Sequence, residues 1–272
     1  MVVDLEVCRC CQGGTDFLSD SKILNYEAKY TVCRECKSIQ VDSPHWLDEA
    51  HTNAISQFDT GLVSRSMSAS RLIGSFLKLQ NDSNIKGLDW GGGTGLLTRL
   101  LRDLGIDAYS YDKYAAGDLS HGFVVTEEVT HREATFISAI ECFEHLPNPI
   151  ATFAPLVKNK KYFIFTTEVL PNPVPNPADN DWWYFMPESG QHVTFASLSG
   201  LNEFRKQMSF EYYLRLGSLH IFSREKFRLV TVLVMKLKIL RWIHTHVVLY
   251  LSSRSCSLTV NDRDSLLRQF KT

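Results

Sequence analysis

The sequence predicts an α/β chain whose centre is a doubly wound, mostly parallel sheet of seven strands, with a small cysteine knuckle before it and a helical tail after it. Three observations carry that reading. A glycine cluster stands between an apolar strand and an amphipathic helix, strand and helix patterns alternate after it, and five of the seven cysteines crowd into the first 36 residues.

The glycine cluster is Gly87-Leu88-Asp89-Trp90-Gly91-Gly92-Gly93-Thr94-Gly95, followed by Leu96, Leu97, Leu100, Leu101 and Leu104 on one helical face. Glycines at 91, 93 and 95 remove side chains where the backbone must turn sharply and let a ligand lie against it. The helix beyond offers unsatisfied N–H groups at its N-terminus. By itself this pattern is also that of any Gly-rich turn in an α/β domain. The next segment, Ile106 to Tyr114, reads as a second strand ending at Asp112. A carboxylate at that tip is where doubly wound sheets hydrogen-bond ribose hydroxyls. Tyr114 could stack on an adenine or be an ordinary surface tyrosine. The strands expected are 86–90, 107–111, 122–126, 135–140, 161–167, 210–216 and 218–223, the last two forming an antiparallel hairpin at the sheet edge. Residues 46–85 read as largely helical, with Leu62, Ile73, Phe76 and Leu77 on the apolar face and Asn81-Asp82-Ser83-Asn84 as the break.

The run Thr135–Ile140 ends in Glu141-Cys142-Phe143-Glu144-His145-Leu146-Pro147-Asn148-Pro149. Together these segments resemble the class I S-adenosylmethionine-dependent methyltransferases, with their Rossmann-like fold. Asp89-x-Gly91-x-Gly93-x-Gly95 matches their first motif, Asp112 the ribose acid, and Glu141 to Pro149 the Glu-x-x-Glu-His-Leu-x-x-Pro signature of one large subgroup. The resemblance implies that Asp89, the three glycines, Asp112 and Glu141 bind S-adenosylmethionine. Arg65, near the start of the first long helix, could pair with the methionyl carboxylate or be a solvated helix-start arginine.

Cys8-x-x-Cys11 and Cys33-x-x-Cys36 are two knuckles separated by residues 12–32. Two such turns present four thiolates to one tetrahedral zinc ion. Disulfides are disfavoured in a chain with no export signal, and redox chemistry needs only one pair. Cys10 is an ambiguity, since it competes with Cys8 and Cys11 as a ligand. Residues 22–32 read as a hairpin between the knuckles, and the segment 1–45 as a module of little apolar content, folded mainly by its metal. The expected organisation is then a zinc knuckle (1–45), a methyltransferase domain (46–223) and a helical extension (224–272).

A third cluster, Asp181-Trp182-Trp183-Tyr184-Phe185 through Gln191-His192-Val193-Thr194-Phe195-Ala196-Ser197, follows a strand and a proline-rich loop. Its aromatics beside Glu188, Gln191 and His192 read as a substrate wall. His192-x-x-Phe195-x-Ser197 resembles an element of ubiquinone-type O-methyltransferases and of deoxysugar C-methyltransferases, and the sugar enzymes also carry an N-terminal cysteine zinc module. The sequence departs from theirs at Glu188-Ser189-Gly190-Gln191-His192, and their larger C-terminal domain has no counterpart here. His145 and His192 are the candidate general bases, with Glu144 to orient or charge-pair with one of them. The competing readings are a pocket-shaping helix-start residue for His145 and a helix cap for His192.

The formal charge of −1 supplies no global attraction to nucleic acid or anionic membranes. Met1 to Glu6 has no secretory apolar core, so a cytoplasmic protein is expected. Phe227 to Leu251 is apolar but interrupted by Lys236, Lys238, Arg241, His244 and His246, short of the ~20 residues a span requires. It reads as a long amphipathic helix, broken near His244, that packs on the domain, on a second subunit or on a membrane surface, and Ser257 to Asp262 as a cap before a final short helix. The function expected is methylation of a small polar acceptor, a sugar or glycan-related metabolite. The alternatives are an RNA methyltransferase gripping RNA with its knuckle, and a non-catalytic cofactor- or partner-binding protein.

Overall fold

The computed structural model describes residues 7–51, 60–82, 85–125 and 133–269. Strands β1 (Thr15–Ile23), β2 (Tyr26–Cys33) and β3 (Ile39–Asp42) come first, then helices α1 (Leu47–Ala50) and α2 (Leu62–Gln80). Next are β4 (Lys86–Trp90), α3 (Leu96–Asp103), β5 (Asp107–Tyr111), β6 (Phe136–Ala139), α4 (Pro149–Val157) and β7 (Tyr162–Thr166). They are followed by β8 (Thr194–Phe195), α5 (Leu198–Gln207), β9 (Tyr212–Leu216) and β10 (Leu219–Ser223). The chain closes on α6 (Leu229–Lys236), α7 (Lys238–Ile243), α8 (Leu249–Cys256) and α9 (Thr259–Gln269).

Six strands make one mixed sheet in the order β5-β4-β6-β7-β10-β9. β4 pairs in parallel with β5 and β6, while β9 and β10 form the expected antiparallel hairpin. β6 and β7 are buried at every position, which fits their continuous apolar sequence. The sheet has six strands among the described residues, not the seven expected. The expected strand 122–126 contributes only an isolated parallel bridge from Val124 to Ser110, and residue 126 lies outside the described residues.

The chain divides into two compact units: residues 1–58, 141–159 and 165–224 make the first, and residues 59–140, 160–164 and 225–272 the second. In the first, β1, β2, β3 and β8 form an antiparallel sheet. The β1–β2 hairpin turns through Leu24, whose φ is +53°. Behind it Ile23, Ala28, Tyr30, Ile39, Val41 and Trp46 pack with Leu170, Tyr184, Phe185, Val193 and Phe195 in one buried cluster. This corrects two expectations. The cysteine segment is not held by its thiols alone, because alternate positions of β2 and β3 feed a real core. The aromatic run after Asp181 is mostly that core rather than an open wall, and only Trp183 stands out, at 67% exposure.

In the second unit α2 buries Ile73, Phe76 and Leu77, and ends where the sequence places the break: Asn81 takes the left-handed conformation at φ +56° and donates its N–H to the Lys78 carbonyl. Asn tolerates that conformation better than most residues. Of the helical region expected over 46–85, residues 52–59 lie outside the described residues. The tail is four helices: the expected break near His244 is a π-helical turn over His244–Val248 and the final helix follows a bend at Ser257, while Leu237, extended between α6 and α7, adds a break that was not expected. The last helix is tied down electrostatically. Arg102 donates to both Asp262 oxygens at 2.8 Å, and Arg99 adds a third bond at 2.7 Å. Among the described residues no helix is long and apolar enough to cross a membrane.

Candidate active site and cysteine cluster

The glycine loop lies in the second unit, between β4 and α3. Gly91 and Gly92 both donate to the Tyr111 carbonyl, at 2.8 and 3.0 Å, which folds the loop back over the end of β5. Gly91, Gly93 and Gly95 all have positive φ, from +55° to +78°. The two later glycines are needed for different reasons. A Cβ on Gly95 would lie 2.1 Å from the Ser120 hydroxyl, so packing forbids it, whereas a Cβ on Gly93 would meet nothing within 4 Å. The open side of the loop is therefore at Gly93. Asp112 fastens that turn: one oxygen accepts from Gly93 N–H at 2.9 Å, the other from Tyr114 N–H at 2.7 Å and Ala115 N–H at 3.0 Å.

Asp89 sits beneath the loop, 2% exposed, and accepts a hydrogen bond from Ser138 at 2.8 Å. Burial, then the charge of Asp112, raises its pKa to about 7. It supports the loop from within rather than presenting an open face. Tyr114 is 52% exposed beside Lys113, and Arg65 is half-buried in the first turn of α2.

A second constellation lies in the first unit. Glu141 takes a positive φ of +54°, and Thr166 at the end of β7 holds it on both sides: Glu141 N–H donates to the Thr166 hydroxyl, which donates back to the carboxylate, both at 2.7 Å. A non-glycine residue in that region costs of order 1 kcal/mol and persists where the surroundings over-determine it, typically at functional sites. Three residues on, the 3₁₀ turn Phe143–His145 brings Glu144 and His145 beside His192. The two imidazole rings meet edge to face at 4.9 Å, and His51 stands 5.5 Å from His145. Burial pushes the Glu144 carboxyl up to about 8, with Glu141 adding to the rise. Burial, then His192 and His51, holds His145 well below the ordinary imidazole range, so it is neutral. His192 is 7% exposed, and its Nδ1 lies 2.7 Å from the Tyr184 carbonyl. A carbonyl only accepts, so Nδ1 carries the proton and Nε2 the lone pair. His192 is not a helix cap. That role belongs to Ser197, whose hydroxyl accepts from Gly200 N–H at the start of α5.

The four cysteines also lie in the first unit. Cys8 and Cys36 sulfurs are 3.6 Å apart, and Cys11 and Cys33 are 3.4 Å apart. Four thiolates at about 2.3 Å from one zinc stand roughly 3.7 Å from each other, so the donors fit that ion. Cys10, Gly13 and Cys36 donate backbone N–H groups to the sulfurs of Cys8, Cys11 and Cys33. Such bonds stabilise thiolates. Cys10 itself stands outside the four. Burial raises the Cys11 pKa to about 12; Cys10, then burial, pushes the Cys8 thiol further up, and Cys8, then burial, does the same for Cys36.

Sequence reasoning missed Thr166, Ser138 and the Tyr184 carbonyl, all of which orient a site residue. Only Thr166 left a signal, as a hydroxyl at the end of an apolar strand.

A family model described as a methyltransferase domain matches residues 65–213. None of the curated proteins matches the chain. Among solved structures it is similar to an O-methyltransferase family protein from Burkholderia thailandensis, at 13% identity and a TM-score of 0.45, over 61% of this chain and 57% of that one. It is also similar to a magnesium protoporphyrin IX methyltransferase from Synechocystis PCC 6803 with bound SAM, at 12% identity and a TM-score of 0.40, over 65% of this chain and 91% of that one. A mitomycin 7-O-methyltransferase gives 11% identity and a TM-score of 0.43, over 66% of this chain and 67% of that one. The chain thus spans little more than half the length of the Burkholderia protein.

Proposed function

We propose, for a chain that belongs to the methyltransferase-domain family, that it moves the methyl group of S-adenosylmethionine to a hydroxyl of a small polar acceptor, a sugar or glycan-related metabolite. The observation that carries the acceptor is the buried Glu144–His145–His192 cluster, which has a lone pair on His192 Nε2. In the reaction the sulfonium S–CH₃ bond breaks as the O–CH₃ bond forms. The hydroxyl proton leaves to that lone pair, and the neutral thioether departs. On this reading Gly91, Gly93, Gly95 and Asp112 hold the cofactor, with Asp89 beneath them and Glu141, Arg65 and Tyr114 as further contacts. Glu144 and His145 shape the acceptor side.

Zinc held by Cys8, Cys11, Cys33 and Cys36 would brace the hairpin and take no part in methyl transfer. Free thiols of this kind fit a reducing compartment such as the cytoplasm. RNA is disfavoured as the acceptor because three of the five lysines and arginines of the knuckle have partners within it. Arg9 is 6% exposed and donates to the Val193 and Val41 carbonyls, Arg34 pairs with Asp16 at 2.8 Å, and Lys22 lies 3.6 Å from Glu27. The exposed apolar side chains of the tail, such as Leu229, Ile239 and Trp242, suit contact with a second subunit.

The test is turnover of His192→Ala on a panel of free and nucleotide-linked sugars. Turnover should fall ~10²–10⁴-fold with cofactor affinity nearly unchanged. Full turnover would remove His192 from the mechanism. A steep loss of acceptor binding with salt would instead point to RNA phosphates.

A further inference from the structure

The Glu144–His145–His192 cluster holds an unmet demand. Glu144 is wholly buried, and among the described residues neither of its oxygens has a hydrogen bond of good geometry, although the Tyr184 and Thr167 hydroxyls act on it; His145 Nδ1 is likewise buried and unpartnered. The closest approach of the pair, His145 Nε2 to Glu144 Oε1, is 4.0 Å, too long for a hydrogen bond. Buried polar atoms in folded proteins are nearly always satisfied, so the unmet demand of Glu144 and of His145 implies an absent partner. One donor atom from each of the three residues lies within 4.8 Å of the others. Ligands of one tetrahedral ion with bonds near ~2.1 Å stand roughly 3.4 Å apart, so closure by about an ångström would join all three. The bond from His192 Nδ1–H to the Tyr184 carbonyl is the support that metal-bound imidazoles make with their second nitrogen.

We propose that Glu144, His145 and His192 bind one divalent first-row metal ion, distinct from the ion of the four cysteines, with positions left open for a hydroxyl of the acceptor. Two imidazoles and one carboxylate are the donor set of open, chemically active sites, whereas four thiolates make a closed one. The inference deepens the methyl-transfer reading and rests on it only for the hydroxyl. An ion there would acidify the hydroxyl it binds, and because the His192 lone pair would then hold metal, the hydroxyl proton would leave to solvent water in place of His192.

Manganese(II) tests this on the full-length, zinc-loaded protein, because thiolates select softer ions and would leave it alone. Titration followed by electron paramagnetic resonance should show one bound ion per chain. Pulsed measurements should show coupling to imidazole nitrogen. Glu144→Gln and His192→Gln should each weaken binding at least tenfold. An unbound ion, a bound ion without nitrogen coupling, or equal affinity in both variants would overturn the site. The nitrogen coupling needs no variant, so misfolding of either one leaves the test intact. Metal binding with these signatures supports the site whether or not a sugar is methylated. A failed methylation assay would count against the acceptor reading alone.

Discussion

His220 shows how the first unit fixes single residues. It had no chemistry in the sequence, and the structure gives it a structural role: Nε2 lies 3.0 Å from the Thr167 carbonyl, Nδ1 lies 2.6 Å from the Tyr213 hydroxyl, and the ring stacks on Phe165. Nε2–H donates and Nδ1 accepts, so the neutral ring is fully satisfied, and protonation would force the Tyr213 hydroxyl to turn from donor to acceptor. Burial accordingly lowers its pKa to about 4. The unfolded chain, with an imidazole near 6.5, binds the proton more readily. Stability from this group is therefore complete above about pH 6.5 and falls as pH drops toward 4, by up to about 3 kcal/mol. Melting wild type and His220→Gln across that range should show wild type losing the extra stability; parallel curves would contradict it. The same contrast explains what was legible at this scale. The place of Asp112 beside the glycine loop could be read from its spacing, because a strand that pairs with β4 ends there, and the structure adds its hydrogen bond from Gly93 N–H. The sinking of Glu144, His145 and His192 out of water depends on what packs over them, and no local pattern encodes it.

At the scale of elements, the strands of the central sheet were readable to within a residue or two, because continuous apolar runs between turn residues define them. In the tail, the break near His244 and the cap at Ser257 were legible, whereas the break at Leu237 was not, because the apolar repeat runs through it and leucine is no breaker by type. The aromatic run after Asp181 was misread for a related reason: exposed and buried aromatics look alike in sequence, and the partner that buries this run is the hairpin beside the cysteines. That shared core changes what metal removal should do. Protein prepared without chelator should contain about one zinc per chain at the cysteines. A strong chelator should loosen β1–β3 and, through the β3–β8 pairing and the common core, raise hydrogen exchange over 184–195 while the second unit keeps its protection. No change over 184–195 on zinc loss would mean that the hairpin core stands without its metal.

At the scale of the molecule, one methyltransferase-family chain carries a glycine loop fastened by Asp112, a buried acid–imidazole cluster and a hairpin with four clustered cysteines. Everything depends on the first of these, since without the cofactor the cluster has no methyl donor. Calorimetric titration of S-adenosylmethionine into wild type and Asp112→Ala tests it most directly. The carboxylate holds the Gly93 turn and would accept the ribose hydroxyls, so its loss should weaken binding by about 1.5–3 kcal/mol, roughly 10- to 150-fold. Wild type that binds no S-adenosylmethionine, or Asp112→Ala that binds it as tightly as wild type, would contradict the assignment of the glycine loop.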